Sequence, residues 1–121
     1  MESILNSVKK QIGFDEAYEH FDQDLILLIN SALSVMTQVG VGPQEGFYIT
    51  GDSAVWSDFL DDDPRLEMVK EYVFLRAKVV FDPPQSGSVL DAYKERIQEL
   101  EWRANVVADD WSWRKESSSE E

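Results

Sequence analysis

The chain contains no cysteine, which excludes disulfides, thiolate metal sites and cysteine nucleophiles. A domain of this size that manages without crosslinks suits a reducing compartment. Histidine is almost as scarce. His20 stands alone, beside Glu19 and just ahead of a helix start. It reads as a loop residue: no nucleophile is spaced to use it as a base, and one histidine among scattered carboxylates makes no zinc site. Basic residues are few, with 11 lysines and arginines against 24 aspartates and glutamates and a formal charge of -13. That balance excludes a module that binds DNA by covering its phosphates with a basic face. Long hydrophobic runs are missing too. The longest, Leu25 to Ile29, is followed at once by Asn30 and Ser31, so no membrane span is expected. Glu2, Asn6, Lys9, Lys10 and Gln11 interrupt the first twelve residues, unlike a signal peptide.

What remains is a chain of 121 residues, 43% hydrophobic and 29% charged, enough for one soluble domain and too short for two. Four segments carry helical periodicity. Near Glu2 to Ile12, the residues Ile4, Leu5, Val8 and Ile12 form a stripe that leaves Lys9 and Lys10 outside, and Gly13 is a fitting stop. A second helix starts with Asp22 as cap and places Leu25, Leu28, Ile29, Ala32, Leu33, Met36 and Val39 at helical spacing. Ile26, Leu27 and Val35 widen its apolar face, so burial on more than one side is expected. Gly40, Gly42 and Pro43 end it.

The third helix is predicted from about Pro64 to Phe81, with Asp63 as N-cap and Pro64 as first helical residue. It is apolar on two faces: Leu66, Val69, Val73, Ala77 and Val80 on one; Met68, Tyr72, Leu75 and Val79 on the other. Such a helix sits centrally or is covered by a neighbouring subunit. Asp82-Pro83-Pro84 stops it. The fourth is expected to start with Ser88 as N-cap and Asp91 completing a capping box. Its seam is Leu90, Tyr93, Ile97, Leu100, Ala104 and Val107, with Trp102 and Val106 off it.

Between the second and third helices, Gly46 to Gly51 is a short β-prone run, expected to be extended or hairpin-like. Ser53 to Leu60 suits one or two helical turns that bury Val55 or Trp56 with Phe59 and Leu60. Residues 109–121 form a polar tail, flexible until docked, behind a helical domain of residues 1–108. The fold class expected is therefore all-α, a small bundle of about four helices.

No motif supports catalysis or a cofactor. Asp61-Asp62-Asp63 lacks the alternating ligands and central glycine of a calcium loop. Gly40-Val41-Gly42-Pro43 follows a helix and has no Lys-Ser/Thr partner, unlike a phosphate loop. Interface chemistry is better represented. Trp102, Trp111 and Trp113 lie in or beyond the last helix with Arg103 and Arg114 beside them, and tryptophan and arginine are the residues that anchor protein contacts. These five are candidates for binding a partner. Met68, Tyr72, Leu75 and Val79, with Phe47 and Tyr48 of the β-prone run, are candidates for contact between subunits.

Several stretches together suggest a family: Ile4-Leu5-Asn6-Ser7-Val8-Lys9-Lys10, Phe21-Asp22-Gln23-Asp24-Leu25-Ile26, Ile29-Asn30-Ser31-Ala32-Leu33, Gln38-Val39-Gly40-Val41-Gly42-Pro43, Trp56-Ser57-Asp58-Phe59-Leu60, Phe81-Asp82-Pro83-Pro84 and Leu100-Glu101-Trp102-Arg103. In this order and spacing the chain resembles the head–tail connector (adaptor, or head-completion) proteins of long-tailed bacteriophages. The resemblance implies a structural virion protein with neither catalysis nor cofactor. It implies a twelvefold ring under the portal protein that extends the DNA channel and offers a docking face to a stopper or tail-completion protein. Genomic DNA would pass without specific binding, helped by an acidic wall. The place of action would be the head–tail interface of the virion, and the host cytoplasm during assembly. The other reading that the charge supports is an acidic DNA mimic that occupies a nucleic-acid-binding enzyme.

Overall fold

The computed structural model describes the backbone of residues 3–60 and 65–119, and side chains within those ranges as far as residue 106. Among the described residues there are five helices: α1 (Ile4–Ile12), α2 (Asp22–Gln38), α3 (Trp56–Phe59), α4 (Leu66–Phe81) and α5 (Gly87–Ser119). The all-α expectation holds. The four long helices are those the periodicity marks, and α3 is the expected short turn.

α1 begins where Ser3 Oγ accepts the Asn6 N–H at 3.2 Å, and ends at Gly13, whose φ of 112° lets its N–H reach back to Lys9 O. Ile4, Leu5 and Val8 are buried as expected. Lys9 is not where the stripe placed it. It is only 1% exposed, its Nζ donating to Glu16 O at 2.8 Å and lying 2.9 Å from Asp22 Oδ1 in an ion pair. A buried ammonium is tolerated only with such partners. The same pair explains why Asp22 is no N-cap. It is the first helical residue of α2, Phe21 occupies the cap position without a side-chain bond, and the carboxylate is turned to Lys9.

α2 buries Leu25, Ile26, Ile29, Ala32, Leu33 and Met36, while Leu27, expected to broaden the apolar face, is 72% exposed. Beyond α2 the chain turns through Gly40 and Gly42, both at positive φ. A β-carbon on Gly42 would come within 2.6 Å of the Phe59 ring, so this turn can pack on α3 only as glycine.

The hairpin-like expectation for Gly46 to Gly51 is corrected: no strand forms among the described residues, and the one bridge joins Ser3 to Val55. The reason is a side chain doing a strand's work. Asn30, in mid-α2, accepts the Ile49 N–H at 2.7 Å and donates to Ile49 O at 3.0 Å. Both backbone groups of buried Ile49 are thereby satisfied without a partner strand. α3 then closes the loop, with Trp56, Phe59 and Leu60 buried and Val55 only half-buried. Trp56 Nε1 donates to Ser7 Oγ of α1 at 2.9 Å, and that hydroxyl donates to Ile4 O.

α4 is the central helix, packed against α1, α2 and α5. Val69, Tyr72, Val73, Leu75 and Ala77 are buried, Met68 and Val79 half-buried, and Val80 is 64% exposed. The chain thus covers most of both α4 stripes by itself. The expected cap Asp63 and first-turn Pro64 lie outside the described residues. α5 starts two residues earlier than expected: Ser86, not Ser88, caps it, its Oγ accepting Val89 N–H at 3.5 Å and its carbonyl Leu90 N–H at 3.0 Å. Leu100 and Ala104 of the expected seam are buried and Tyr93 and Ile97 lean on the core, whereas Trp102 and Val106 face outward. Val107 lies outside the residues whose side chains are described.

Asn30→Ala would strand the two Ile49 backbone groups. A loss of about 2 kcal/mol in urea unfolding is expected, against less than about 0.5 kcal/mol for the exposed neighbour change Ser34→Ala. Equal losses would remove the role assigned to Asn30.

Candidate docking surfaces

The C-terminal helix carries all five residues expected to bind a partner, so its attachment decides how they are presented. Arg96 clamps it to α4 with a two-pronged bond to Glu71, Nε to Oε2 at 2.6 Å and Nη2 to Oε1 at 2.9 Å. It also reaches Glu99, which in turn holds Arg103 at 2.8 Å. One turn on, Tyr72 Oη donates to Glu101 Oε1 at 2.8 Å while accepting from Arg76 Nη1 at 3.2 Å. Arg76 lies over the Tyr72 ring and also approaches Ser31 Oγ of α2. Three helices meet in this polar network.

The network perturbs its members in opposite directions. Hydrogen bonding from Arg96 holds the Glu71 carboxyl below its usual value, against the raising effect of burial. Burial, then the bond to Glu101, pushes the Tyr72 phenol up to about 12.

The register set by Glu71–Arg96 and Tyr72–Glu101 brings the first turn of α4 opposite α5 residues just past 100. α5 has 33 residues and α4 has 16, lengths of about 50 and 24 Å at 1.5 Å per residue. α5 therefore runs on past the start of α4. On its outer side Trp102 is 66% exposed and Val106, one turn later, 43%. Arg103 is half-exposed with its guanidinium on Glu99. Trp111, Trp113 and Arg114 belong to α5, whose span takes in residues 109–119 of the expected tail, but their side chains lie outside the described residues.

The candidates for subunit contact divide. Tyr72 and Leu75 are fully or nearly buried under the chain's own helices, so neither is offered to a second copy; this corrects the expectation. Met68 and Val79 are half-buried at the edges of the same stripe. Phe47 is half-buried, its ring edge-on to Phe59 at 5.5 Å, and Tyr48 beside it is 72% exposed.

Some surface features escaped the sequence reading. Leu27 and Val80 are exposed where core positions were expected. Phe14, Tyr18 and Phe21 gather with Phe81 at the α1–α2 loop, a cluster hinted at only by aromatics three and four residues apart. A cleft of about 450 Å³ also opens between α1, α3 and α4, floored by Trp56 and Phe74 and rimmed by Glu67, Lys70 and Glu71. No group of three metal-ligating side chains occurs among the described residues, and His20 is exposed in its loop.

Because the Tyr72 phenol keeps its proton in the folded chain up to about pH 12 but loses it near 10 when unfolded, its share of stability is complete below pH 10 and fades as pH climbs toward 12. Unfolding free energy measured in urea from pH 9 to 12 should fall, and Tyr72→Phe should flatten part of that fall despite a lower starting value. Parallel curves for the two proteins would contradict the burial argument.

A family model described as "Phage connector protein" matches residues 4–110, which takes in the bundle from α1 into α5. No curated protein and no solved structure matches the chain.

Proposed function

The chain belongs to the phage connector protein family, and on that premise we propose that it is a head–tail adaptor whose copies form a closed ring beneath the portal, continue the DNA channel and present a lower face to the stopper or tail. The observation that carries this is the extent of the family match, nearly the whole described fold. Its role is that of a structural connector of the phage particle. Acidity supports the conduit: a formal charge of -13 on each copy would give the channel region a repulsive field for DNA.

We assign the docking role to α5. Trp102 and Val106 form an exposed apolar row on a helix that outruns its support, with Arg103 alongside. Trp111, Trp113 and Arg114, farther along, are assigned to the same contact by residue type. Met68, Val79, Phe47 and Tyr48 are assigned to the contact between copies, where three half-buried side chains and the exposed Tyr48 would gain cover. The DNA-mimic reading has less support. Asp15, Asp22, Asp58, Glu71 and Glu99 are engaged in a loop bond, a helix cap or ion pairs within the chain, and Glu101 accepts from the Tyr72 hydroxyl, whereas mimicry needs carboxylates left free in a phosphate-like row.

Co-expression with the portal protein of the same phage, followed by negative-stain electron microscopy, should show an added ring of density on the portal. A chain that stays separate from the portal at micromolar concentration would defeat the proposal. Trp102→Ala should weaken portal binding at least tenfold with an unchanged circular dichroism spectrum. Ending the chain before Trp111 should likewise spare the fold and reduce docking; collapse of helicity would instead make residues 111–121 part of the core.

A further inference from the structure

We propose that the aromatic cluster formed by the α1–α2 loop and the end of α4 is a docking surface for an arginine- or lysine-bearing segment of a partner protein. It lies apart from the α5 row and does not depend on the adaptor reading.

Five rings meet here. Phe14 stands 5.7 Å from each of Tyr18, Phe21 and Phe81, Phe21 is 5.0 Å from Phe81, and His20 meets Phe21 edge-on at 4.6 Å. Phe14 and Phe81 lean on the core, but Tyr18 is 46% exposed and His20 is exposed. So much aromatic surface is unusual for a connecting loop, which solvent ordinarily keeps polar.

The loop is also held in shape. From beneath, the buried Lys9 ammonium takes the Glu16 carbonyl at 2.8 Å. Within the loop, Asp15 Oδ1 accepts Ala17 N–H, Tyr18 N–H reaches Asp15 O, and Asp22 N–H reaches Glu19 O. The rings are therefore presented without a large ordering cost on binding.

Charge selects the ligand. Asp15, Glu16 and Glu19 are exposed on the loop, and Asp24 is exposed in the first turn of α2. The cations close by are already paired, Lys9 with Asp22 and Lys78 with Asp82; Lys10 is exposed near the end of α1. α1 and α4 both end at this cluster, at Ile12 and Phe81, and the negative ends of their dipoles are met in part by Lys9, Lys10 and Lys78 in their last turns, which leaves the loop carboxylates as the main source of negative potential. The positive end of α2 is offset by Asp22 and Asp24. Ring faces under a negative potential attract a cation and repel a carboxylate or phosphate. A guanidinium fits best, since it stacks flat on a ring while its N–H groups reach carboxylates.

His20 is the only histidine, so its ring resonances report on this surface alone. The full-length chain would be titrated with acetyl-Gly-Arg-Gly-Arg-Gly-amide and with the same peptide carrying neutral citrulline, followed by NMR. The His20 ring and the amides of residues 14–22 should shift saturably, with a midpoint at least about threefold lower for the arginine peptide. Tyr18→Ala should raise that midpoint roughly two- to fivefold. If this variant disturbs the loop, Glu19→Gln tests the charged half of the surface and should raise it as well. Equal response to both peptides, shifts spread evenly over the acidic surface of α5, or a midpoint that neither variant moves would overturn the proposal.

Discussion

The demand that α4 be covered on nearly every side organises this protein. With Val69, Tyr72 and Val73 wholly buried and Leu75 and Ala77 nearly so, most of the apolar surface of the helix is withdrawn from water, and Glu67 and Val80 mark the side that stays exposed. α1, α2 and α5 enclose it, and the hydrophobic gain from that enclosure is the main force available to a chain that has no cysteine to form a disulfide. The Tyr72 phenol shows how tightly it closes: a hydroxyl in so dry a place is acceptable only because Glu101 and Arg76 complete its hydrogen bonds.

Around that centre, polar side chains do what backbone pairing does elsewhere. Asn30 holds Ile49 as a neighbouring strand would, Ser7 receives the Trp56 indole, and Lys9 draws together the α1–α2 loop and the start of α2. Each is a buried or half-buried polar group whose cost is offset only when its partner is in place. Such contacts add little net stability, but they specify one arrangement of loops over others.

The same enclosure relocates the case for assembly. A two-faced α4 left open would itself call for a second subunit, yet one copy covers it. The membership of the phage connector family therefore rests on the match across residues 4–110, and the surfaces left for partners lie at the periphery: the outer row of α5, the Phe47–Tyr48 loop and the edges of α4. Their separation would let the proposed contacts with further copies of the chain and with other components form together, since contacts on different faces do not compete.

Periodicity along the chain was enough to establish the four long helices, the buried seam through Leu100 and Ala104, and the outward position of Trp102, because helical spacing sorts residues into faces before any neighbour is known. Order and spacing of the short motifs also pointed to the connector family. Tertiary structure alone decided the rest. Whether Lys9 is solvated depends on Glu16 and Asp22 arriving beside it; whether Gly46 to Gly51 pairs as a strand depends on Asn30 reaching Ile49; whether Leu27 or Tyr72 is the exposed one depends on which helices close over them. These outcomes are set by residues distant in the chain, and a local pattern holds no record of what will face it.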